Sequence, residues 1–214
     1  FTIGAFPETA EEESQPGATG NSNDSIESAQ PVRNGPVTLN GTLRGPERDV
    51  YRVSAKAGER RVFEVEARRS GSAIDPVLRI LDASGRQLAR NEDAPGIGLD
   101  ARIDFTFPKE GNYYVEVTDA RFSRQSQNFY RLKMGAFPYV EDLFPLGGKR
   151  GESVDVTFSG AGVPRPVAMP VDLKQAPANI DTTWVNLPDS PGLPLPFALS
   201  DFPEVREPQS AALA

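Results

Sequence analysis

Two clusters of acidic and amide side chains are the residues of this sequence that could do chemistry. The first contains Glu11, Glu12, Glu13, Asn23, Asp24, Glu47 and Asp49. The second is a loop with Asn91, Asp93 and Asp100, facing Asp75. Ca²⁺ takes about six to eight oxygen ligands, and either cluster could supply several of them with backbone carbonyls added. A hydrated acidic loop is the alternative interpretation of both clusters.

The residue types that are missing narrow the chemistry further. The chain has no Cys and no His, which excludes thiol nucleophiles, disulfides, imidazole bases and a Ser-His-Asp triad. Zinc and haem sites that need those ligands are excluded as well. The run at residues 147–151 lacks the spacing of a nucleotide-binding phosphate loop and is predicted to be a turn. The sequence therefore predicts a protein that is not an enzyme, in which a metal would be Ca²⁺ held by oxygens.

Charge and hydropathy limit the partners and the membrane association that the sequence predicts. The formal net charge is −7, which argues against nucleic-acid binding. No run approaches the ~20 apolar residues of a membrane-spanning helix, so no transmembrane segment is predicted. The numbering opens at Phe1 without an initiator Met or a signal peptide. We expect a processed chain or a segment of something longer.

The elements that must position the acidic clusters are β-strands. Residues 70–119 contain four runs of alternating apolar residues separated by short turns, of which residues 82–85 have hairpin chemistry. Phe105 and Tyr113 lie on the inward faces of the last two runs. Upstream, Tyr51 and Val53 share one face of another strand. The strand at residues 61–67 is predicted to point its apolar residues inward and Glu64 and Glu66 outward into solvent. Residues 8–36 are predicted to be mostly loop.

A short pattern recurs three times and predicts the domain organisation. It reads apolar-x-apolar-Gly/Ser-x-Phe-Pro at residues 1–7, 132–138 and 197–203. Each copy fits a closing strand that must stop at a proline, although chance similarity is the alternative. The predicted organisation has residues 1–7 as the closing strand of a preceding module and residues 8–135 as a large domain. Residues 136–202 form a small domain, and residues 203–214 start a next module or form a disordered tail.

The large domain resembles the bacterial pre-peptidase C-terminal domain, a jelly-roll-like β-sandwich of secreted proteins. The resemblance runs over residues 11–135. It is carried by the ordered segments at residues 23–25, 41–43, 49–51, 57–59, 75–78, 82–85, 91–93, 110–115 and 130–132. Two departures are an interruption at residues 14–22 and Asn-Glu-Asp at residues 91–93 in place of Asn-Asp-Asp. Related collagen-binding domains bind calcium at the equivalent leading segment, so the resemblance implies Glu13, Asn23, Asp24 and Asp49 as ligands.

The second domain is similar to the small Ig-like modules of the TIG type in large bacterial surface proteins. It contains an alternating strand with Val154, Val156 and Phe158. Trp184 lies in a later strand and is predicted to fill the small core, with stacking on a carbohydrate as the alternative. The predicted fold class is therefore all-β, with a jelly-roll-like β-sandwich and a smaller Ig-like β-sandwich.

These observations favour a non-catalytic segment of a secreted, cell-surface or periplasmic bacterial protein that acts in binding, adhesion or structural assembly. Its partner would be a protein, a polysaccharide or a second copy meeting it through edge strands. One alternative is an accessory module that positions a secreted peptidase or other hydrolase on its substrate. Another is a structural subunit of a filament, surface layer or envelope complex.

Overall fold

Strands carry almost all of the regular structure. The computed structural model describes residues 6–12, 23–122, 128–160, 163, 165–188 and 194–205. Among these residues the one helical element is a 3₁₀ turn at Arg68–Ser70, and no helix is long and apolar enough to cross a membrane. The chain divides into two units, residues 1–137 and 138–214. This division falls near the predicted boundary at residue 135, while the predicted modules at the two ends stay predictions.

The first unit is built from two five-stranded sheets. Its strands are β1 (Glu8–Ala10), β2 (Gln30–Pro31), β3 (Val37–Thr42), β4 (Arg48–Ala55), β5 (Arg60–Glu66), β6 (Pro76–Leu81), β7 (Gln87–Asn91), β8 (Arg102–Thr106), β9 (Gly111–Asp119) and β10 (Phe129–Gly135). One sheet has the order β1-β3-β10-β5-β8 and the other β2-β4-β9-β6-β7. β1 and β2 pair in parallel with β3 and β4, and the other pairs are antiparallel.

The core of the first unit lies between the inward faces of these sheets. Phe63 and Phe107 are fully buried, and the Phe107 ring lies 4.7 Å from that of Tyr113. Complete burial of such a side chain stabilises a fold by roughly 1.5–3 kcal/mol. The alternation predicted for β8 and β9 is confirmed, although Phe105 is only partly buried against this core.

Glu64 and Glu66 point away from the core, as predicted, but they do not reach solvent. Their residues are 3% and 5% exposed. Lys133 on the neighbouring strand β10 contacts both carboxylates, with its Nζ 2.7 Å from Glu66 Oε2, and Arg69 pairs with Glu64. Burial alone would raise the pKa of Glu66, but the hydrogen bonds from Lys133 and Ser70 lower it to about 2. The expectation of a solvated face was therefore wrong for this pair.

The leading segment also differs from the predicted loop. Glu8–Ala10 forms β1, whose residues are all exposed and which pairs with β3 through the backbone. A polar, three-residue strand with no buried face has no alternating pattern to reveal it. Residues 1–5, which contain most of the predicted closing strand, lie outside the described residues. Phe6 is described, and its ring lies 5.1 Å from that of Phe137.

The second unit has two three-stranded sheets. Its strands are β11 (Asp142–Phe144), β12 (Gly147–Lys149), β13 (Ser153–Ser159), β14 (Val167–Asp172), β15 (Thr182–Val185) and β16 (Leu195–Ser200). The sheet orders are β11-β13-β14 and β12-β16-β15. Side chains from both sheets, including Phe158 and Phe197, share one core. The predicted fold class, all-β with a larger and a smaller β-sandwich, is thus confirmed, while the TIG-type assignment stays a prediction.

Trp184 does not fill this core, so that prediction was wrong. The residue is 67% exposed. In the register of β15 with β16, Thr183 lies opposite the buried Phe197, whereas Trp184 lies opposite the exposed Pro196. Opposed residues share a face of the sheet. The alternation therefore turns Trp184 to the outer face.

Candidate calcium site

Asp49 is a carboxylate at an inward position of a core strand. In β4 it precedes Tyr51 and Val53 by two and four residues, so all three side chains point to the same face. Asp49 is 0% exposed, as is Tyr51. A charge at such a position is costly unless it is paired or coordinates a metal.

Two tyrosines form the polar floor around Asp49. The Tyr130 hydroxyl donates to Asp49 Oδ2, and the hydroxyls of Tyr51 and Tyr130 lie 2.5 Å apart. The pKa values of both tyrosines are raised, first by burial and then by nearby negative groups. Both phenols therefore stay protonated and act as fixed hydroxyl groups beneath the carboxylate.

Glu11 reaches the same place from the leading segment. Its backbone nitrogen donates to Asn40 O at 2.9 Å, and its Oε1 accepts from the backbone nitrogen and hydroxyl of Thr42 at 2.8 and 3.0 Å. Gly41 provides the space, because a Cβ there would overlap both Glu11 Oε2 and the phenol end of Tyr130. Because β3 has no side chain at this position, Glu11 and Tyr130 can both pack against it.

The carboxyl groups of Glu11 and Asp49 both have raised pKa values. Burial, followed by the negative charge of Glu11, raises the pKa of Asp49 to about 9. Burial also raises the pKa of Glu11, against the hydrogen bonds from Thr42. Glu47 adds a further negative charge to the surroundings of both groups. Two buried carboxylates this close together need a proton or a cation between them.

Several buried oxygens of the cluster lack a hydrogen-bond partner among the described residues. They are Asp49 Oδ1, Glu11 Oε2 and the Asn23 amide oxygen when both carboxyl groups are ionised. When one of the two holds a proton, the Asp49 and Glu11 side chains hydrogen-bond to each other. Asn23 is 1% exposed, and its backbone oxygen accepts from Val50 N at 2.7 Å, which holds it against β4. Its side chain is still close enough to Tyr51 to influence that hydroxyl. Buried polar atoms without partners are rare and call for an explanation such as an ion.

This donor set fits Ca²⁺ in kind. It offers carboxylate and amide oxygens, which hard cations prefer, and tyrosine hydroxyls lie beside them. It does not hold a dense acidic cage, since no three Asp or Glu side chains gather closely enough for one in the described part of the chain. A calcium ion here would need Glu11, Asn23 and Asp49 together with backbone or water oxygens.

The structure brings together part of the predicted ligand set. Asn23 and Asp49 lie in the cluster, and the neighbouring Asp24 is half-buried, with its backbone oxygen accepting from Arg48 Nε at 2.7 Å. Glu13 lies outside the described residues. The resemblance pointed to Glu13, whereas Glu11 is the glutamate that contacts the site. The two tyrosines beside Asp49 were not predicted. Asp49 and Tyr51 are two residues apart in β4, and this spacing already indicates that their side chains share a face.

The second predicted cluster is not assembled. Asp100 is fully buried and accepts from the backbone nitrogens of Ala67 and Arg68 at 3.1 and 2.7 Å, so its carboxylate caps the 3₁₀ turn. Asp75 pairs with Arg121 Nε at 3.1 Å. Asn91 Oδ1 accepts from the backbone of Arg102 at 3.0 Å. Each of these oxygens already has a structural partner.

Comparison with known families bears on the larger unit. Residues 47–119 match the family described as the bacterial pre-peptidase C-terminal domain. The resemblance is confirmed there. The matched stretch runs from Glu47 through β4 to the end of β9, so it includes Asp49 but not Glu11, Asn23 or the strands β3 and β10.

A relative with a known name matches part of the chain. A probable subtilase-type serine protease of Deinococcus radiodurans is 37% identical over 99 residues, which is 45% of this chain and 13% of that protein. The chain therefore corresponds to a small part of this relative.

Two solved structures are similar at low identity. The pre-peptidase C-terminal domain of a Bacillus anthracis collagenase has 19% identity and a TM-score of 0.40, covering 50% of this chain and 93% of that one. Aeromonas hydrophila PliG, a periplasmic inhibitor of g-type lysozyme, has 18% identity and a TM-score of 0.39, covering 61% and 98%.

Proposed function

We infer that the chain is a non-catalytic β-sandwich segment of a secreted, cell-surface or periplasmic bacterial protein, and that its larger unit is stabilised by Ca²⁺. Its role is binding, adhesion or structural assembly. The observation that carries this proposal is the cluster of Glu11, Asn23 and Asp49, in which two neighbouring carboxyl groups need a proton or a cation between them. Such a site suits a structural ion better than a substrate, because Asp49 and Asn23 are 0% and 1% exposed.

One groove of the larger unit bears on the non-catalytic role. It has a volume of about 840 Å³ and lies among the turns around β4 and β9. Its buried charged group, Arg61, contacts Glu59 Oε1 at 2.6 Å and donates to Ser54 O at 2.7 Å. The second Glu59 oxygen accepts from the backbone of Lys56 at 2.9 Å. These groups hold the turn and leave no poised acid–base pair.

Calcium would tie the leading segment to the sandwich. Glu11 is contributed by the residues after β1, Asn23 by the chain before β2 and Asp49 by β4. An ion shared among them would replace the proton that burial imposes on the carboxyl pair. Asp24 and Glu13 are the further ligands that the resemblance proposes.

Calorimetric titration of the EGTA-treated chain with Ca²⁺ tests this proposal. We expect one bound ion per chain, and at least about a hundredfold weaker binding for Asp49→Asn and Glu11→Gln, because each removes a charged ligand. Asp93→Asn, which changes an exposed carboxylate, is the matched control and should bind as the wild type does. Absence of binding at about 1 mM Ca²⁺, or an equal loss in the control, would reject the site.

A second candidate is an accessory module of a secreted hydrolase. The relative named as a probable serine protease favours it, because the aligned region is a small part of a much longer chain. The chain alone should not cleave casein or gelatin, but it should co-sediment with an insoluble protein or polysaccharide substrate. Cleavage by the purified chain would contradict both candidates, and absence of co-sedimentation would count against the accessory role.

A further inference from the structure

The second unit has a groove between two sheet edges. Within the described residues, β14 pairs only with β13 and β15 pairs only with β16. The groove has a volume of about 560 Å³ and runs between β14 and β15. Leu173 and Leu199, which are 2% and 7% exposed, belong to both its lining and the core of the unit. The groove therefore exposes the side of the small core to an incoming segment.

The outer edge of β15 presents backbone groups to this groove. Leu199 N donates to Asp181 O at 2.9 Å, so the opposed residues Asp181 and Leu199 are a hydrogen-bonded pair. In an antiparallel pair bonded residues alternate with non-bonded ones. Thr182 and Trp184 are therefore the non-bonded residues, and Trp184 lies opposite Pro196, which has no N–H to share. Their N–H and C=O groups point away from β16.

Three other sheet edges, those of β1, β2 and β14, are protected. The Gln30 amide of β2 donates to Ala10 O at 3.1 Å and accepts from Glu12 N at 2.9 Å, which joins the β1 and β2 edges. β14 carries Pro170 at its centre, which removes a donor. β15 has no proline and no charged side chain, and its Trp184 is 67% exposed. It lacks the usual devices that discourage strand addition.

We propose that β15 binds an extended peptide segment of a partner protein, which adds to the sheet as a new strand. Thr182 and Trp184 supply the backbone donors and acceptors. Apolar side chains at alternate positions of the segment enter the groove over Leu173 and Leu199, while the others face solvent. Acidic residues outnumber basic ones in this unit, and the exposed Asp172 lies in the lining of the groove. The partner segment is therefore flanked by basic residues.

This inference names a partner class for the second unit and goes beyond the calcium-stabilised role of the first. The two are separable, because the groove contains none of the calcium-site residues. Failure of calcium binding would leave the strand site untouched, and the reverse holds as well.

A synthetic peptide that alternates valine and threonine between lysine pairs is the probe. Trp184 is the only tryptophan, so binding to the full chain should shift its emission to the blue. Hydrogen exchange of the Thr182 and Trp184 amides should slow by about tenfold or more, whereas Thr183 and Val185, already bonded to β16, should change little. The same peptide with methylated nitrogens on its pairing edge is the control and should not bind.

Matched variants separate the backbone from the side chain. Thr182→Pro removes an outward N–H and should weaken binding by about tenfold, whereas Thr182→Ala keeps it and should bind within about twofold. Unchanged amide exchange at saturating peptide would overturn the proposal. Quenching of Trp184 fluorescence by cellohexaose without amide protection would also overturn it, because the indole would then bind carbohydrate by stacking. Protection of the same amides by self-association without peptide would assign the edge to a second copy instead.

Discussion

Asp49 makes the stability of the calcium-free chain depend on pH. Its pKa is about 9 in the folded chain against an ordinary 3.8, so the folded state holds a proton that the unfolded state releases. The resulting stabilisation is complete below pH ~4 and is lost as the pH rises through 9. We expect urea unfolding in EGTA to show stability falling between pH 5 and 8, by up to about 1.4 kcal/mol per pH unit.

The Asp49→Asn variant should flatten this dependence, because an amide cannot titrate. Asp93→Asn should keep the slope of the wild type. A wild-type chain whose stability is constant over this range would show that Asp49 is not the buried proton-binding group described here.

Gly41 is the second residue on which the site depends. Gly41→Ala would drive a methyl group into Glu11 and the buried Tyr130. Overpacking of this kind costs about 1–3 kcal/mol, which urea unfolding should show as a lower free energy of unfolding. We expect calorimetry to show a lower calcium affinity as well. Ala10→Val, which adds bulk on the exposed neighbouring strand, should change neither. A fully tolerated Gly41→Ala would mean that Glu11 does not pack over β3.

At the scale of elements, the outer face of β5 and β10 is held by ion pairs. The pKa of Glu66 is lowered to about 2, so its stabilisation is present above the ordinary value of 4.5 and is lost as the pH falls through 2. Glu66→Gln should cost about 1–3 kcal/mol at pH 7 and weaken the acid dependence of urea unfolding. Glu92→Gln, in an exposed pair with Arg90, should cost less than about 1 kcal/mol.

Equal costs for the two substitutions would show that burial of the Glu66 network adds nothing. The predicted direction follows from the contacts of Glu66 with Lys133 at 2.7 Å and Arg131 at 3.1 Å.

Elements with an alternating apolar pattern were predictable from the sequence. β4, β5, β8 and β9 each place large residues on one face, which is the direct signature of a half-buried strand. β1 was missed because backbone pairing alone defines it. Trp184 was misplaced because a four-residue strand carries too few alternations to decide its inward face, and pairing with β16 decides it instead. The candidate cluster was predicted in part, since Glu11, Asn23 and Asp49 were named in it, but the choice of Glu11 over Glu13 depends on a close approach over Gly41.

At the scale of the whole molecule, composition limited the possible site chemistry but did not identify a partner. The absence of Cys and His directed attention to oxygen ligands, and the strand pattern led to the larger sandwich. The edge of β15 was invisible from sequence, because an unpaired edge depends on which strands neighbour it. Partner identity depends on that edge and on the surfaces of both units, so it could not follow from residue patterns.

The central claim is that calcium fixes the leading segment of the larger unit through Glu11, Asn23 and Asp49. Thermal unfolding of the chain at pH 7.5, with Ca²⁺ at about 100 times Kd and then with EGTA, tests it most directly. Binding to the folded state alone should add about 2.7 kcal/mol, which raises Tm by about 5–11 °C. Mg²⁺ should do less because it demands stricter geometry. Asp49→Asn should abolish the shift. A wild-type Tm that is identical in Ca²⁺ and EGTA would contradict the account.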